Sequence, residues 1–254
     1  MSQPFKVHIA KGIAELVLDH PPVNAFNSER WLAIASQIEA LGRDDAVRVI
    51  VIRAVGKGFC AGVDIKELAE DSSKIVEVNR GNYLTFEAIH RNPKPVIVAV
   101  HGFVLGGGIG MAGAADIIVA SDCARFGVPE VDRGALGGGA HLQRMFPVQK
   151  VRYMYFTGDF IDAAEAFRFG AIERVVPKKE LKGVAFDIAE KIAAKSPAMI
   201  QLAKEALSGV EDGDLEAKYR WEQGFTFEAY TSLDSQEARD AFVEKRDADF
   251  KKGE

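Results

Sequence analysis

The sequence predicts an α/β fold with a helical C-terminal region. Three apolar runs rich in β-branched residues, at 49–52, 96–100 and 117–120, are typical of strands buried on both faces of a parallel or mixed sheet. A polar segment over about 72–91 has helical character and separates the first two runs. This strand–helix–strand order is typical of layered α/β folds. After about residue 140 helical periodicity replaces the strand signals, apart from an apolar run at 172–176.

The N-terminal elements follow from side-chain alternation and from turn residues. Residues 5–19 alternate in polarity and break at Lys11-Gly12, which predicts a β-hairpin. Asn27 is placed to cap a helix over about 28–42, where apolar residues recur at helical spacing.

The apolar spacing in the C-terminal third of the sequence predicts a series of consecutive helices. One apolar helical face is formed by Leu181, Ala185, Ile188 and Ile192. Ser196-Pro197 fits an N-cap followed by proline at the first helical position, and the predicted helices after it cover about 197–208, 213–230 and 234–245. We therefore divide the chain into an α/β core over residues 1–190 and a helical subdomain over residues 191–254.

Composition narrows the class of protein. The 254 residues carry a net charge of −5, which disfavours non-specific binding to nucleic acid. Cys60 and Cys123 are the only cysteines, and no Cys/His spacing indicates a metal site. The N-terminus lacks the apolar run of a signal peptide, and no stretch approaches the ~20 apolar residues of a membrane span. We expect a cytoplasmic protein that needs neither a membrane nor a metal.

Two glycine-containing turns are the strongest candidate site. The segments GKGFCAGVDIK (56–66) and GGGIGMAG (106–113) each follow a buried strand and lead into a predicted helix. Two such turns on neighbouring strands can direct backbone amides at one oxygen atom, which forms an oxyanion hole. The second segment also contains G-I-G-M-A-G, a dinucleotide-binding fingerprint. It lies mid-chain, however, and five residues separate it from its strand, which disfavours that interpretation.

These segments resemble one family. The stretches HPPVNAF, GKGFCAGVDIKEL, PVIVAVHGFVLGGGIGMAGAADIIVASDCARFGVPEVDRGALGG and AFVEKRDADF are similar, in this order, to the enoyl-CoA hydratase/isomerase (crotonase) superfamily. The resemblance covers about residues 5–250. It implies a core of repeated ββα units, a helical C-terminal trimerisation region, and assembly as a homotrimer or a dimer of trimers. It also implies an acyl-CoA thioester substrate, with coenzyme A as part of that substrate and no separate cofactor.

The resemblance also assigns roles to residues. The amides of Val63 and Gly107 would hold the thioester oxygen and stabilise an enolate. Four residues fall where the family lines the CoA pocket: Ala61, Asp64, Ile65 and Lys66. Lys57 and Lys245 are candidate partners of the CoA phosphates, or alternatively ordinary surface lysines.

The sequence departs from the hydratase pattern at one catalytic position. Hydratases of this family place two glutamates around one water, which is general acid–base chemistry. The second glutamate is present as Glu130, but Gly110 stands where the first is expected. Efficient enoyl-CoA hydration is therefore not expected. A single glutamate could instead move a proton between two carbons, or help water attack a ketone β to the thioester. Family dehalogenases need an aspartate near Gly138, which excludes halide displacement.

Three residues could replace the missing acid, although Asp132 could instead pair with Arg133 and His141 could instead be a packed core histidine. Asp132 lies two residues after Glu130, His141 follows the GALGGG segment, and Glu228 lies in EQGFTFEAY. The segments GGGIG, PEVDRGALG, AHL and EQGFTFE most resemble the crotonase-like ring-opening CoA hydrolases of steroid degradation. The sequence therefore predicts hydrolytic C–C cleavage of a β-keto acyl-CoA. The alternative is an enoyl-CoA isomerase or hydratase that uses Glu130 alone.

Overall fold

The computed structural model describes residues 3–211 and 213–250. Its strands are β1 (Phe5–Ala10), β2 (Ile13–Leu18), β3 (Ala25–Phe26), β4 (Val49–Ala54), β5 (Gly62–Val63), β6 (Val96–Val100), β7 (Phe103–Leu105), β8 (Ile117–Ser121), β9 (Arg125–Gly127), β10 (Ile161–Asp162) and β11 (Arg174–Val176). Its α-helices are α1 (Ser28–Arg43), α2 (Ile65–Glu70), α3 (Ile75–His90), α4 (Gly107–Ala114), α5 (Gly139–Met145), α6 (Val148–Thr157), α7 (Ala163–Arg168), α8 (Leu181–Ala193), α9 (Pro197–Val210), α10 (Leu215–Tyr230) and α11 (Leu233–Glu244).

The main sheet has six strands in the order β1-β2-β4-β6-β8-β11. The β1–β2 hairpin is antiparallel, and the other neighbours pair in parallel. The hairpin and the buried strands predicted at 49–52, 96–100 and 117–120 are thereby confirmed, and the apolar run at 172–176 contains the short edge strand β11, which is only partly buried. All five residues of β6 are buried, which explains why its sequence is apolar throughout rather than alternating.

Helices cover both faces of this sheet. One face packs against α1, α3 and α4 in the larger core, whose fully buried side chains include Trp31, Ile38 and Ile89. The other face packs against α8 through small residues such as Ala185 and Ala189. The predicted cap of α1 is confirmed, because the Asn27 side chain accepts a hydrogen bond from the Arg30 amide.

Short strands outside the main sheet position the site. Strands β10, β9 and β7 form a second sheet, and β3 pairs with β5. Cys60 and Val104 form an isolated parallel β-bridge, and the Leu105 amide donates a hydrogen bond to the Cys60 carbonyl over 2.9 Å. These bonds tie the turn around residue 60 to the turn that begins after β7. The sequence did not predict these strands, because runs of two or three residues carry no periodicity.

The C-terminal helices occur where they are predicted. Helix α9 begins at Pro197 with Ser196 as its N-cap, and α10 and α11 follow. The predicted division after residue 190 falls inside α8, which belongs to the core packing. No helix in the described part of the chain is long and apolar enough to cross a bilayer.

Candidate active site

A cavity of about 80 Å³ lies between the two glycine turns, α3 and the C-terminal helices. The glycine turns and the loop after residue 130 contribute small residues and Glu130, whereas α3, α10 and α11 contribute amides, aromatic rings and a guanidinium. The lining includes Ala61, Val63, Ile65, Asn79, Phe86, Gly107, Glu130, Arg133, Tyr230 and Arg239.

The two predicted oxyanion-hole residues line this cavity together. Val63 is the last residue of β5, and Gly107 is the first residue of α4. A Cβ placed on Gly62 would lie 3.2 Å from the Gly107 nitrogen, so the two turns touch at the backbone. As the first helical residue, Gly107 has an amide hydrogen with no acceptor inside the helix. That amide is free to donate to a ligand.

Glu130 lies at the same end of the cavity. It belongs to a short 3-10 helix over Pro129–Arg133, and a Cβ on Gly106 would lie only 2.0 Å from its Oε1 atom. Its Oε2 atom is buried and has no hydrogen-bond partner among the described residues. Burial raises the pKa of Glu130 to about 7, and this rise is opposed in part by a hydrogen bond from its own backbone amide and by the charge of Arg133. A carboxylate with that pKa can exchange protons near neutral pH.

The structure explains what replaces the missing glutamate at Gly110. A Cβ at Gly110 would lie 2.1 Å from the Phe86 Cζ atom, so the Phe86 ring fills the space beside the glycine. Phe86 is buried and packs edge-on against Trp31 and His141. The position is therefore occupied by an aromatic ring rather than left open for another acid.

His141 lies outside the cavity. Its ring packs between Phe86 and Tyr219, with centroid distances of 4.8 Å to each. Burial lowers the pKa of His141 to about 3, so the ring is neutral, and its Nδ1 atom has no partner in the described structure. The structure thus places this predicted site residue in the aromatic packing behind the cavity.

The other two candidate acids are exposed. Asp132 points toward Gly158, where an added Cβ would lie 2.5 Å from its Oδ2 atom, and not toward Glu130. Glu228 lies on the exposed side of α10 and does not line the cavity. Within one described chain, neither carboxylate reaches the cavity that contains Glu130.

All the predicted CoA-binding residues except Lys245 lie in the first glycine turn or at the start of α2. Ala61, Val63 and Ile65 line the cavity, and Asp64 caps α2 by accepting from the Lys66 amide over 3.1 Å. The side chains of Lys57, Lys66 and Lys245 are exposed. Lys245 ends α11 in the left-handed conformation, with φ of 55°. The described residues contain no cluster of side chains that could hold a metal ion.

Sequence reasoning missed several polar residues around the cavity. The Asn79 Nδ2 atom is buried without a partner, and two arginines, Arg133 and Arg239, line the wall. A further carboxylate outside the cavity lining, the half-buried Glu222, accepts hydrogen bonds from the Gly139 and Ala140 amides over 2.6 and 2.9 Å. Glu228 lies six positions after Glu222 on α10, so a helix places them about 120° apart, and Glu222 is half-buried whereas Glu228 is exposed. Apolar periodicity does not distinguish these two faces, because α10 buries Gln223 and Thr226 while Trp221 is exposed.

Comparison with known proteins identifies the family. The family model described as enoyl-CoA hydratase/isomerase matches residues 8–253. The chain is 46% identical to the (7aS)-7a-methyl-1,5-dioxo-2,3,5,6,7,7a-hexahydro-1H-indene-carboxyl-CoA hydrolase of Rhodococcus jostii, over 92% of this chain and 91% of that protein. It is 44% identical to the hydrolase of the same name from Mycobacterium tuberculosis, over 92% and 96%. A short-chain-enoyl-CoA hydratase of Clostridium acetobutylicum is 34% identical, over 92% of each chain.

Solved structures agree with this assignment. A carnitinyl-CoA hydratase from Mycobacterium avium superposes with a TM-score of 0.85 at 31% identity, covering 99% of this chain and all of that one. An enoyl-CoA hydratase/isomerase from Xanthobacter autotrophicus Py2 gives a TM-score of 0.88 at 25% identity, covering 97% and 98%. The predicted crotonase-like fold is confirmed, and the chain belongs to the enoyl-CoA hydratase/isomerase family.

Proposed function

We propose that this protein opens the ring of a bicyclic β-keto acyl-CoA by hydrolytic C–C cleavage. The observation that carries the proposal is the pairing of one carboxylate, Glu130, with the two-turn oxyanion hole, while Phe86 occupies the space beside Gly110. The relatives from R. jostii and M. tuberculosis, whose names describe hydrolases of a dioxo bicyclic carboxyl-CoA, support this substrate class.

The oxyanion hole would supply the electrostatic part of catalysis. The Val63 and Gly107 amides would donate to the thioester oxygen as negative charge develops on it. The N-terminal partial charge of α4 adds to this effect, since Gly107 is the first residue of that helix. The enolate of the acyl-CoA is then a good leaving group for a C–C bond.

Glu130 would act as the base. It removes a proton from water while the water oxygen bonds to the ketone carbon β to the thioester. The bond between that carbon and the α-carbon then breaks, and its electron pair becomes the enolate. Protonated Glu130 returns its proton to the α-carbon, and the new carboxylic acid ionises. The product thus contains the atoms of the substrate and one water.

Enoyl-CoA isomerisation or hydration by Glu130 alone is the alternative. A single carboxylate suffices for proton transfer between two carbons, whereas hydration in this family uses a second one. The roles predicted for Asp132, His141 and Glu228 as replacement acids, and for Ala61, Asp64, Ile65, Lys66, Lys57 and Lys245 in CoA binding, remain predictions.

The cavity volume bears on how a bicyclic acyl group could enter. About 80 Å³ is below the ~300–1,000 Å³ of common ligand sites, so we expect α2 and the C-terminal helices to move apart on binding.

We also expect a homotrimer or dimer of trimers acting in the cytoplasm. Exposed aromatic side chains on α6 and α10, including Phe156, Trp221 and Phe225, fit burial between subunits.

The test is incubation of the enzyme with a 1,5-dioxo-hexahydroindene-carboxyl-CoA in ¹⁸O-labelled water, followed by mass spectrometry. We expect the mass of one water to be added, with the label in the new carboxylate and the thioester intact. Unchanged substrate, or label lost with release of free CoA, would refute ring opening. Crotonyl-CoA hydration and 3-enoyl-CoA isomerisation, followed by absorbance, test the alternative in parallel.

A further inference from the structure

Two arginine side chains line the cavity that contains Glu130. Arg133 ends the 3-10 helix that carries Glu130, and Arg239 lies on α11. Arg239 is 3% exposed, whereas Arg133 is half-buried. Neither residue is required by the chemistry assigned above to Glu130 and the oxyanion hole.

Both arginines are held by local contacts. The Cζ atom of Arg239 lies 4.3 Å from the ring centroid of Tyr230, and that of Arg133 lies 4.7 Å from the ring centroid of Phe242. Arg239 donates to Ser235 Oγ and, over 2.7 Å, to Gln236 Oε1, and Ser235 Oγ in turn donates to the Gly134 carbonyl. Ser235 therefore links Arg239 to the residue that follows Arg133.

Arg239 has no anionic partner among the described residues, whereas Arg133 acts electrostatically on Glu130 and opposes the rise in its pKa. No Asp or Glu oxygen of the described chain forms an ion pair with either guanidinium, whereas the half-buried Arg144 and the more exposed Arg246 are each paired with a glutamate. A buried cation without an anion is costly, because burial removes its hydration. A guanidinium has five N–H groups that can donate hydrogen bonds. Arg239 donates to two protein acceptors, Ser235 Oγ and Gln236 Oε1.

A second observation indicates that the cavity receives an oxygen-rich ligand. The buried Asn79 Nδ2 atom, also on the cavity lining, has no acceptor among the described residues. The cavity lining therefore offers hydrogen-bond donors from Asn79, Arg133 and Arg239. Glu130 supplies one carboxylate against two guanidiniums, so the cavity has an excess of positive charge even when Glu130 is ionised.

We propose that Arg239 and Arg133 bind the ketone oxygen that water attacks and then the carboxylate into which that ketone is converted. This inference rests on the proposed ring opening and names its acyl recognition site. Water addition places negative charge on the former ketone oxygen, and cleavage leaves two oxygens on that carbon as a carboxylate. A planar guanidinium can donate hydrogen bonds to the negatively charged former ketone oxygen. It can also bind the product carboxylate through two parallel hydrogen bonds.

Binding of a matched ligand pair tests the proposal without turnover. The ligands are heptanedioyl-CoA, which ends in a free carboxylate, and its terminal methyl ester. We expect the wild-type protein to bind the carboxylate form ~10- to 150-fold more tightly in calorimetric titrations. Arg239→Met should bring this ratio close to ~1, whereas Arg239→Lys should keep part of it. A ratio unchanged in Arg239→Met, or absent from the wild-type protein, would overturn the proposal.

Free CoA separates acyl recognition from phosphate binding. Equal weakening of both acyl-CoAs and of free CoA by Arg239→Met would assign the arginine to the CoA portion and overturn the proposal. Arg220→Met is the matched control, because Arg220 stacks 4.2 Å from the Tyr83 ring outside the cavity and should leave the ratio unchanged. If circular dichroism shows that Arg239→Met does not fold, the same affinity ratio is measured in Arg133→Met.

The wild-type ring-opening assay separates the two proposals. Ring opening together with an unaltered carboxylate preference in both arginine variants would refute only the assignment of the arginines. A carboxylate preference that depends on Arg239, in a protein that opens no ring, would refute only the reaction.

Discussion

Glu130 Oε1 lies directly against the backbone of Gly106, so closely that a methyl group on Gly106 would be 2.0 Å from this oxygen. Gly106 also precedes the oxyanion-hole residue Gly107 and has φ of +50°, a region in which glycine is favoured. The candidate base and one half of the oxyanion hole are therefore positioned by the same glycine.

Gly106→Ala should reduce kcat/KM for ring opening by ~100-fold or more. The added methyl group displaces the Glu130 carboxylate and strains the Gly107 amide, and small misplacements of catalytic groups can have effects of this size. Steady-state kinetics measure the effect. Gly209→Ala on α9 is the control, because nothing lies within 4 Å of the added methyl group. Equal activity of the two variants would contradict the contact.

The pH dependence of kcat/KM should rise through about pH 7. Glu130 must be ionised to accept a proton, and burial places its pKa at about 7. Glu130→Gln should lower kcat by ~10²- to 10⁴-fold. Glu190→Gln, an exposed carboxylate on α8, should leave the rate and the profile unchanged. A profile with no inflection between pH 6 and 8 would remove Glu130 as the base.

Burial of the Glu130 carboxyl group should also lower the stability of the folded protein at high pH, where the group is ionised. Because its pKa in the folded protein is above its ordinary value of 4.5, the folded state holds the proton more tightly than the unfolded state. The stabilising contribution of protonated Glu130 is thus complete below about pH 4.5 and is lost as the pH rises through about 7. Glu130→Gln should therefore exceed the wild-type stability by about 1 to 3 kcal/mol at pH 8.

Thermal melts at pH 5 and pH 8 measure this difference. The advantage of Glu130→Gln should be larger at pH 8 and shrink at pH 5, where Glu130 is protonated in the folded protein. Glu190→Gln again serves as the control. An advantage that is the same at both pH values would show that the variant acts through packing rather than through charge.

Gly110→Glu should not create an efficient hydratase. The new side chain would collide with the Phe86 ring, since its Cβ would lie 2.1 Å from Phe86 Cζ. We expect a loss of ~2 kcal/mol or more in the free energy of unfolding, and no gain in crotonyl-CoA hydration. Phe86→Ala should partly relieve this loss in the double variant, as a double-mutant cycle measures.

Gly209→Glu, which faces open space, should leave the stability nearly unchanged and serves as the control. Additive effects of Gly110→Glu and Phe86→Ala would mean that the ring does not fill the glycine position. Hydration by the single variant would show that Phe86 can move aside.

The sequence alone determined the elements whose signal is local. The strands at 49–52 and 96–100 are continuous β-branched runs, and the cap at Asn27 lies next to its helix, so each could be predicted without knowing its neighbours. The motifs around Val63 and Gly107, together with the glycine at position 110, identified the family and the departure from its hydratase pattern.

The tertiary structure decided which side chains reach the cavity. Glu130, Val63 and Gly107 meet there, whereas His141 is enclosed between aromatic rings and Glu228 is exposed. Those outcomes depend on the rotation of each helix and on partners from distant segments, such as Phe86 of α3 against Gly110 of α4. Spacing along one chain does not contain that information. Arg239 lines the same cavity as Arg133 because α11 packs against the 3-10 helix. That packing also could not be predicted from the sequence.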